Sequence, residues 1–372
     1  MTTKFAGAVL SKIGADRPWT DSQPIQVREL ELDGPGPGEV LVRMESAGVC
    51  HSDLSRVSGV RECVVPMLLG HEGAGIIETL GPDCDGLEIG QKVTMTFMPR
   101  CGECEACLAP GWALCSRGMT ANALGEMLGG GRRIHMDGVP IDHHGGVSAF
   151  AEYAIVDRHS LVVVPKEVPS DVAALLGCAI LTGGGAVRNA ARLQPGESLA
   201  VVGVGGVGLA ALLVAQAIGA TEVTAIDMLE SKLALAVDEY GASAGLTPVE
   251  ASEQGTQFDA VIECAGNPRA LETAIALTKP GGRTVTVGLP HPESVVQFSP
   301  LALVTGARSI IGSYMGSGIP EDDIRDYAEL YLQGKLPIEK LISGSIALDQ
   351  VNEAMDTLQE GAVVRQMIDF RR

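Results

Sequence analysis

The sequence predicts an α/β protein in two domains, one β-rich and one built on a parallel sheet. Three observations carry that prediction. The chain has 372 residues, beyond the length at which one hydrophobic core stops growing. Its first third reads as short strands separated by turns, with few helices. From about Leu175 onward, apolar strands alternate with helix-length segments, the pattern of a parallel sheet with right-handed crossovers. The expected boundaries are residues 1–179 for the β-rich domain, completed by 320–372, and 180–319 for the parallel-sheet domain.

In the first part, Glu39–Ala47 alternates apolar and polar residues after the breaker run Gly34–Gly38, as a half-buried strand does. Gly73–Thr79 and Gln91–Phe97 read alike. The second part runs strand Ser198–Gly203, helix Val207–Ile218, strand Glu222–Asp227, helix Leu229–Tyr240, strand Phe258–Cys264, helix Arg269–Thr278 and strand Arg283–Leu289. An acidic helix at Glu321–Gln333, a helical segment at Asp349–Glu360 and a closing strand at Val363–Phe370 follow. No internal repeat or low-complexity linker interrupts them. Gly125–Gly146, polar and glycine-rich with His135, His143 and His144, reads as a flexible loop.

Hydrophobic residues make up 46% of the chain and charged residues 20%, which fits a soluble globular protein. A net charge of −19 disfavours nucleic acid and anionic membranes, since both would repel it. The N-terminal stretch has no basic region followed by a long apolar one, so it reads as neither a signal peptide nor a membrane span. The longest apolar run, Val201–Ala220, is broken by glycines and Gln216 and reads as a buried strand, turn and helix. The chain is large and four of its nine cysteines have metal-ligand spacing, so a reducing cytoplasm is expected rather than a disulfide-bonded exterior.

Those four are Cys101, Cys104, Cys107 and Cys115, spaced C-x2-C-x2-C-x7-C and flanked by Gly102 and Gly111. Four thiolates so close in sequence can converge tetrahedrally on one cation, usually zinc. Four protein ligands leave no open position, so this site is expected to brace a loop and not to do chemistry.

Val201–Gly208 reads VVGVGGVG, giving Gly203-x-Gly205-x-x-Gly208 after a strand and at the mouth of a helix. Gly203, Gly205, Gly206, Val207 and Gly208 are candidate dinucleotide contacts: the glycines permit a tight turn and close approach to a pyrophosphate, and the helix N-terminus favours its charge. Asp227 ends the next strand, where a carboxylate accepts hydrogen bonds from ribose hydroxyls and repels a 2′-phosphate. NAD is therefore expected over NADP. The plainer reading of Asp227 is a strand-end cap.

Cys50, His71 and Cys178 lie in three distant segments. Two thiolates and an imidazole could give zinc three ligands and leave a fourth position open. Spacing alone does not establish that they converge, and each has an ordinary reading as a buried cysteine or a satisfied core histidine.

GVCHSD at Gly48–Asp53, GHEGAG at Gly70–Gly75, the four-cysteine loop and VVGVGGVGL at Val201–Leu209 follow one another in an order and at separations that resemble the zinc-dependent medium-chain alcohol dehydrogenases. The resemblance runs nearly end to end, including Val363–Phe370, and is strongest to the long forms typified by animal liver and class III enzymes. It implies a GroES-like catalytic domain, a doubly wound Rossmann coenzyme domain and an active site in the cleft between them. It implies two zinc ions per subunit, one held by Cys50, His71 and Cys178 and one by Cys101, Cys104, Cys107 and Cys115. Glu72 matches a carboxylate near the open metal, and Asp53 one that orients the histidine ligand. Thr182 matches a nicotinamide contact. His51 and Arg365 match pyrophosphate contacts.

The implied reaction is reversible hydride transfer from a primary or secondary alcohol, ionised at the open zinc, to NAD. Ser52 matches the hydroxyl that takes the alcohol proton; its plainer reading is a turn cap. Many family members end that relay with a histidine where this chain has Ser55, so proton exit beyond Ser52 must run through water, His51 or another route. Phe97 and Leu289 match positions that line the substrate and coenzyme pocket. Arg61 and Glu62 fall where liver-type enzymes place apolar pocket residues, and pointing into solvent is the favoured reading for both. A thiol-adduct formaldehyde dehydrogenase of the class III kind, with Arg61 as an anion contact, and a nicotinoprotein that never releases NAD are the alternatives. A non-catalytic dinucleotide-binding scaffold is a distant one. The resemblance further implies a homodimer joined through an edge strand at Ala307–Tyr314, with a homotetramer as the alternative. Cys63, Cys84 and Cys264 receive no role, Cys264 reading as buried packing at a strand end.

Overall fold

The computed structural model describes residues 3–109 and 113–371, so Gly111 lies outside the described residues. These residues form two units. One holds the chain up to Cys178, Ile319–Glu329 and the segment from Ile342 onward; the other holds Ala179–Gly318 and Leu330–Leu341.

The first unit is β-rich. Its strands are β1 (Thr3–Leu10), β2 (Ile25–Leu32), β3 (Glu39–Val49), β4 (Met67–Leu68), β5 (Gly73–Leu80), β6 (Lys92–Met95), β7 (Ile134–Met136), β8 (Val139–Pro140), β9 (Asp142–His143), β10 (Tyr153–Asp157) and β11 (Leu161–Val163), with β18 (Ile342–Ile346) and β19 (Arg365–Asp369) returning from the end of the chain. One sheet runs β8-β7-β2-β1-β4-β9; the other runs β11-β6-β5-β3-β19-β18, with β10 also on β3. Alternation along β3 sends Val40, Val42 and Met44 into a core shared with Trp19, Ile77, Met95 and Phe150. β19 pairs antiparallel with the end of β3, setting Met367 opposite Gly48 and Gln366 opposite Val49. That register delivers Arg365 beside the turn into Cys50.

Gly125–Gly146 is not the flexible loop that its composition predicts. Ile134–Met136 and Val139–Pro140 form a hairpin around Asp137 and Gly138, both with positive φ (54° and 77°), as a two-residue mirror-image turn requires. His143 and His144 are buried behind it. The Asp-Gly pair was the signal for this hairpin; polarity and glycine content masked it.

The second unit holds β12 (Leu199–Val202), β13 (Val223–Ile226), β14 (Ala244–Leu246), β15 (Phe258–Glu263), β16 (Thr278–Thr286) and β17 (Ser309–Gly312), all parallel in the order β14-β13-β12-β15-β16-β17. This is the doubly wound arrangement, with its switch point between β12 and β15. The helix after β12, Gly206–Ala217, buries Leu209 to Ala215 without a break, which explains its near-continuous apolar sequence. The helix expected over Arg269–Thr278 ends at Ala276, because Thr278 already pairs with Phe258 as a strand residue. Cys264 lies just past β15 and is half-buried rather than fully packed. β17 is one edge of this sheet and β14 the other. One helical run among the described residues, Ser170–Ala190, is long and apolar enough to cross a membrane, but 89% of its most apolar window is buried inside the structure. It is an interior helix.

Candidate metal centres and coenzyme site

Four ligand atoms from Cys50, His71, Glu72 and Cys178 lie within 4.8 Å of one another, and all four residues are buried. Three pieces of backbone bring them together. Cys50 caps the helix His51–Val57 at the end of β3, where the helix N-terminus favours a thiolate. His71 and Glu72 lie in the turn that enters β5. Cys178 sits in a π-helical turn, Leu176–Ile180, next to Gly177, where a Cβ would lie 1.9 Å from the Met95 carbonyl. Only glycine lets that turn press on β6 and present Cys178.

Cys178 Sγ is 3.6 Å from His71 Nε2. The other ring nitrogen, Nδ1, meets Asp53 Oδ1 at 2.9 Å, and Asp53 Oδ2 accepts a hydrogen bond from the Cys50 backbone N–H at 3.0 Å. Asp53 is fully buried. It therefore fixes the ring's tautomer and aims Nε2 at the thiols. The thiol pair shares its protons unequally: a hydrogen bond from Cys178 pushes the Cys50 pKa well down, helped by Arg365 and opposed by burial. Cys178 is pushed well up by Cys50 and by burial.

Glu72 has no exposed surface and neither of its oxygens has a hydrogen-bond partner among the described residues. Burial pushes its pKa up to about 8, opposed by Arg365. Arg365 Nη1 lies 3.4 Å from Glu72 Oε1 and donates to the Val49 carbonyl at 3.0 Å. The guanidinium is buried, and its Nε has no hydrogen-bond partner among the described residues. Arg365 is thus placed against Glu72 inside the first unit, a partnership that its match to a pyrophosphate contact did not suggest. Gly48 makes room for the Glu72 carboxylate: a Cβ there would sit 2.3 Å from Glu72 Oε2.

This donor set suits a divalent metal. Two thiols and an imidazole are zinc ligands by type, and orphaned buried carboxylate oxygens beside them are what a nearby cation offsets. With Cys50, His71 and Cys178 as its ligands and Glu72 set against Arg365, a tetrahedral zinc would keep a fourth position for substrate.

Cys101, Cys104, Cys107 and Cys115 form a separate cluster, also within 4.8 Å. Cys101 and Cys107 sulfurs are 3.9 Å apart, as are those of Cys104 and Cys115. A tetrahedral zinc with bonds of about 2.3 Å spaces its sulfurs by about 3.8 Å, so the cluster is already close to ligating geometry. The Glu103 and Cys104 backbone N–H groups point at Cys101 Sγ, and Gly118 N–H at Cys115 Sγ, stabilising thiolates. Hydrogen bonds from Ser116 push Cys104 down to about 5.

In the second unit the glycine motif sits at the C-terminal end of β12. A Cβ on Gly208 would lie 2.0 Å from the Gly203 carbonyl, so glycine is needed for the helix to pack. Gly205 caps the helix N-terminus with nothing within 4 Å of its would-be Cβ, leaving space for a pyrophosphate over the helix end. Gly206 and Val207 open the first turn. Asp227 accepts from Val204 N–H at 3.0 Å and Leu229 N–H at 3.1 Å; it caps this corner while keeping lone pairs for a ribose. Thr182 is half-buried with its hydroxyl 3.8 Å from Met315 Sδ. Leu289 is 45% exposed.

Back in the first unit, Ser52 is half-buried in the first turn after Cys50, and His51 is exposed. The Ser55 hydroxyl donates to the His51 carbonyl at 2.8 Å, so it is occupied by its own helix. Phe97 stands edge-on to His71 with ring centroids 5.2 Å apart. Glu62 is exposed; Arg61 is half-buried and held through its backbone N–H to the Ser55 carbonyl.

Residues 36–166 match the alcohol dehydrogenase GroES-like domain and residues 206–333 the zinc-binding dehydrogenase family. The class-3 alcohol dehydrogenase of Myxine glutinosa is 33% identical over 363 residues, covering 95% of this chain and 96% of that protein. Among solved structures, an alcohol dehydrogenase zinc-binding domain protein from Burkholderia ambifaria superposes with TM-score 0.92 at 31% identity, covering 99% of each chain. Benzyl alcohol dehydrogenase from Acinetobacter calcoaceticus gives TM-score 0.90 at 31% identity, again over 99% of each chain.

Two expectations follow. Elemental analysis of the purified protein should find about two zinc ions per chain, falling to about one in Cys101→Ser with a lower melting temperature; one ion per chain in the parent would remove the open site. Gly48→Ala should cost about 1–3 kcal/mol by overpacking against Glu72. The penalty should shrink in a Glu72→Ala background, because the two side chains compete for one space; additive penalties in denaturant melts would refute the contact.

Proposed function

The chain belongs to the zinc-dependent medium-chain alcohol dehydrogenase family, and from that premise we propose that it oxidises primary or secondary alcohols with NAD, reversibly, giving aldehydes or ketones. The observation that carries the reading is the buried convergence of Cys50, His71 and Cys178, with Glu72 beside them and set against Arg365. Zinc held there supplies a Lewis acid, and NAD supplies the hydride acceptor.

The chain's own residues do the rest. Asp53 holds His71 in the tautomer that keeps Nε2 free. Phe97 packs edge-on against that imidazole. Ser52, in the helix turn that follows Cys50, is the group that takes the alcohol proton. Ser55 is tied to the His51 carbonyl, so the proton continues through water or the exposed His51. Gly203 to Gly208 cradle the pyrophosphate, and Asp227 selects NAD by repelling a 2′-phosphate.

A second reading rests on the 33% identity to a class-3 relative: oxidation of the adduct of formaldehyde with a low-molecular-weight thiol, with half-buried Arg61 receiving an anionic group. The protein acts as a homodimer joined along the edge strand β17. In support, Val295, Phe298, Leu301 and Val304, in the segment that leads into β17, are between 46% and 79% exposed, apolar surface of the kind that association covers. Nine cysteines without a disulfide support a reducing, cytoplasmic location.

A panel of aliphatic, aromatic and charged alcohols, assayed with NAD beside formaldehyde with and without thiol, tests the reading. NADH formation with simple alcohols supports it, turnover only of the thiol adduct establishes the second, and neither refutes both. In single-turnover experiments Ser52→Ala should slow hydride transfer about 100-fold or more, and Ser55→Ala should leave it nearly unchanged; normal transfer in Ser52→Ala would remove Ser52 from the relay. Light scattering should give twice the 38.6 kDa chain mass; four times that mass would mean a tetramer.

A further inference from the structure

A second histidine faces the metal centre from the Asp53 side of His71. His144 is buried and its Nδ1 lies 3.2 Å from Asp53 Oδ1, a close contact in which that nitrogen makes no aligned hydrogen bond to any described residue. The same oxygen takes His71 Nδ1 at 2.9 Å. The two imidazoles stand 5.2 Å apart at 61°, so one carboxylate oxygen lies between two rings.

The backbone holds His144 where it is. Its N–H donates to Ser148 Oγ at 3.0 Å, and Ser148 Oγ donates in turn to the Leu68 carbonyl at 3.0 Å. Its carbonyl accepts from the Val147 and Ser148 N–H groups, both at 3.2 Å. This closed turn also presses on the pocket side: a Cβ on Gly145 would sit 2.8 Å from Phe97 Cβ, and Phe97 packs edge-on against His71. The turn from His144 to Ser148 therefore braces His71 on two sides, through Asp53 and through Phe97.

Asp53 needs such a brace. A fully buried carboxylate with one lone pair unpaired is costly, and a carboxylate that tilts toward better solvation takes the His71 hydrogen bond with it. Its Oδ2 is fixed by Cys50 N–H, but a single bond on each oxygen leaves rotation about the Cβ–Cγ bond only loosely restrained. A second donor on Oδ1 restrains it and withdraws some negative charge, which tunes how strongly Asp53 raises the basicity of the ligand imidazole.

We propose that His144 is a positioning residue of the open metal centre: by presenting Nδ1–H to Asp53 Oδ1 it fixes the carboxylate that orients His71. The proposal rests on the reading that Cys50, His71 and Cys178 hold zinc. Its role is geometric and separate from the thiol chemistry.

The test compares His144→Leu with His144→Asn in the full-length zinc protein. The two replacements have nearly the same size and shape, but only asparagine keeps a donor near the position of Nδ1. Zinc release to a colorimetric chelator is followed in each, together with the visible spectrum after cobalt(II) replaces the open-site zinc, and thermal melting confirms folding. His144→Leu should release the open-site metal about tenfold faster, the low end of what such supporting contacts contribute, and should shift the cobalt bands; His144→Asn should restore both toward the parent. Unchanged release and spectrum in His144→Leu would overturn the proposal, and so would equal effects in the two variants, which would make His144 a packing residue. If the leucine variant does not fold, unchanged parental release and bands in His144→Asn support the proposal and tenfold faster release there defeats it. A parent that binds no second metal would defeat the site reading instead, and that result appears in the metal count before any variant is made.

Discussion

A single buried carboxylate ties the metal centre to the fold. Asp53 stands at the third position of the helix that Cys50 caps, and its two oxygens reach the Cys50 backbone and His71 Nδ1. One residue thereby couples the two segments that supply the first two ligands. Burial works to raise its pKa, but His71 and His144 hold it below the ordinary carboxylate value. A carboxylate kept charged at zero exposure is stable only while its partners stay in place. The position of His71 is set by that requirement as much as by any bond to a metal.

Charge balance extends the same constraint. Cys50, Cys178, Asp53 and Glu72 can each carry negative charge inside one buried volume, with the Arg365 guanidinium set against Glu72. Arg365 arrives from the last strand of the chain, through the pairing of β19 with β3. The C-terminal segment is therefore part of the site, and a chain ending before Arg365 would leave Glu72 buried without its cation.

The two metal-ligating clusters answer different physical needs. The four-cysteine cluster gathers its ligands from Cys101 to Cys115, so local backbone N–H groups suffice to organise its sulfurs. The open site draws ligands from residues 50, 71 and 178 and depends on close approaches that only glycine permits, at Gly48 and Gly177. A closed cluster can be built by a loop; a site whose ligands come from distant segments needs a core around it.

Local chemistry was legible in the sequence. The parallel sheet, the glycine turn with Asp227 and the four-cysteine loop each depend on residues near one another in the chain, and periodicity and spacing record such relations. What the sequence left open was long-range. Nothing in the residues near Cys178 says that it meets His71, and the family resemblance had to supply that pairing. The resemblance sets Arg365 at a coenzyme contact and is silent on Glu72, beside which the register of β19 on β3 places the guanidinium. The polar, glycine-rich composition of Gly125–Gly146 reads as a loop, yet the turn from His144 to Ser148 is tied to Leu68 and sets His144 beside Asp53. Sequence alone determined which groups this protein has to bind a metal and a dinucleotide. Tertiary structure decided which buried charges face one another, since burial removes water as a partner and leaves each such group to find one across the fold.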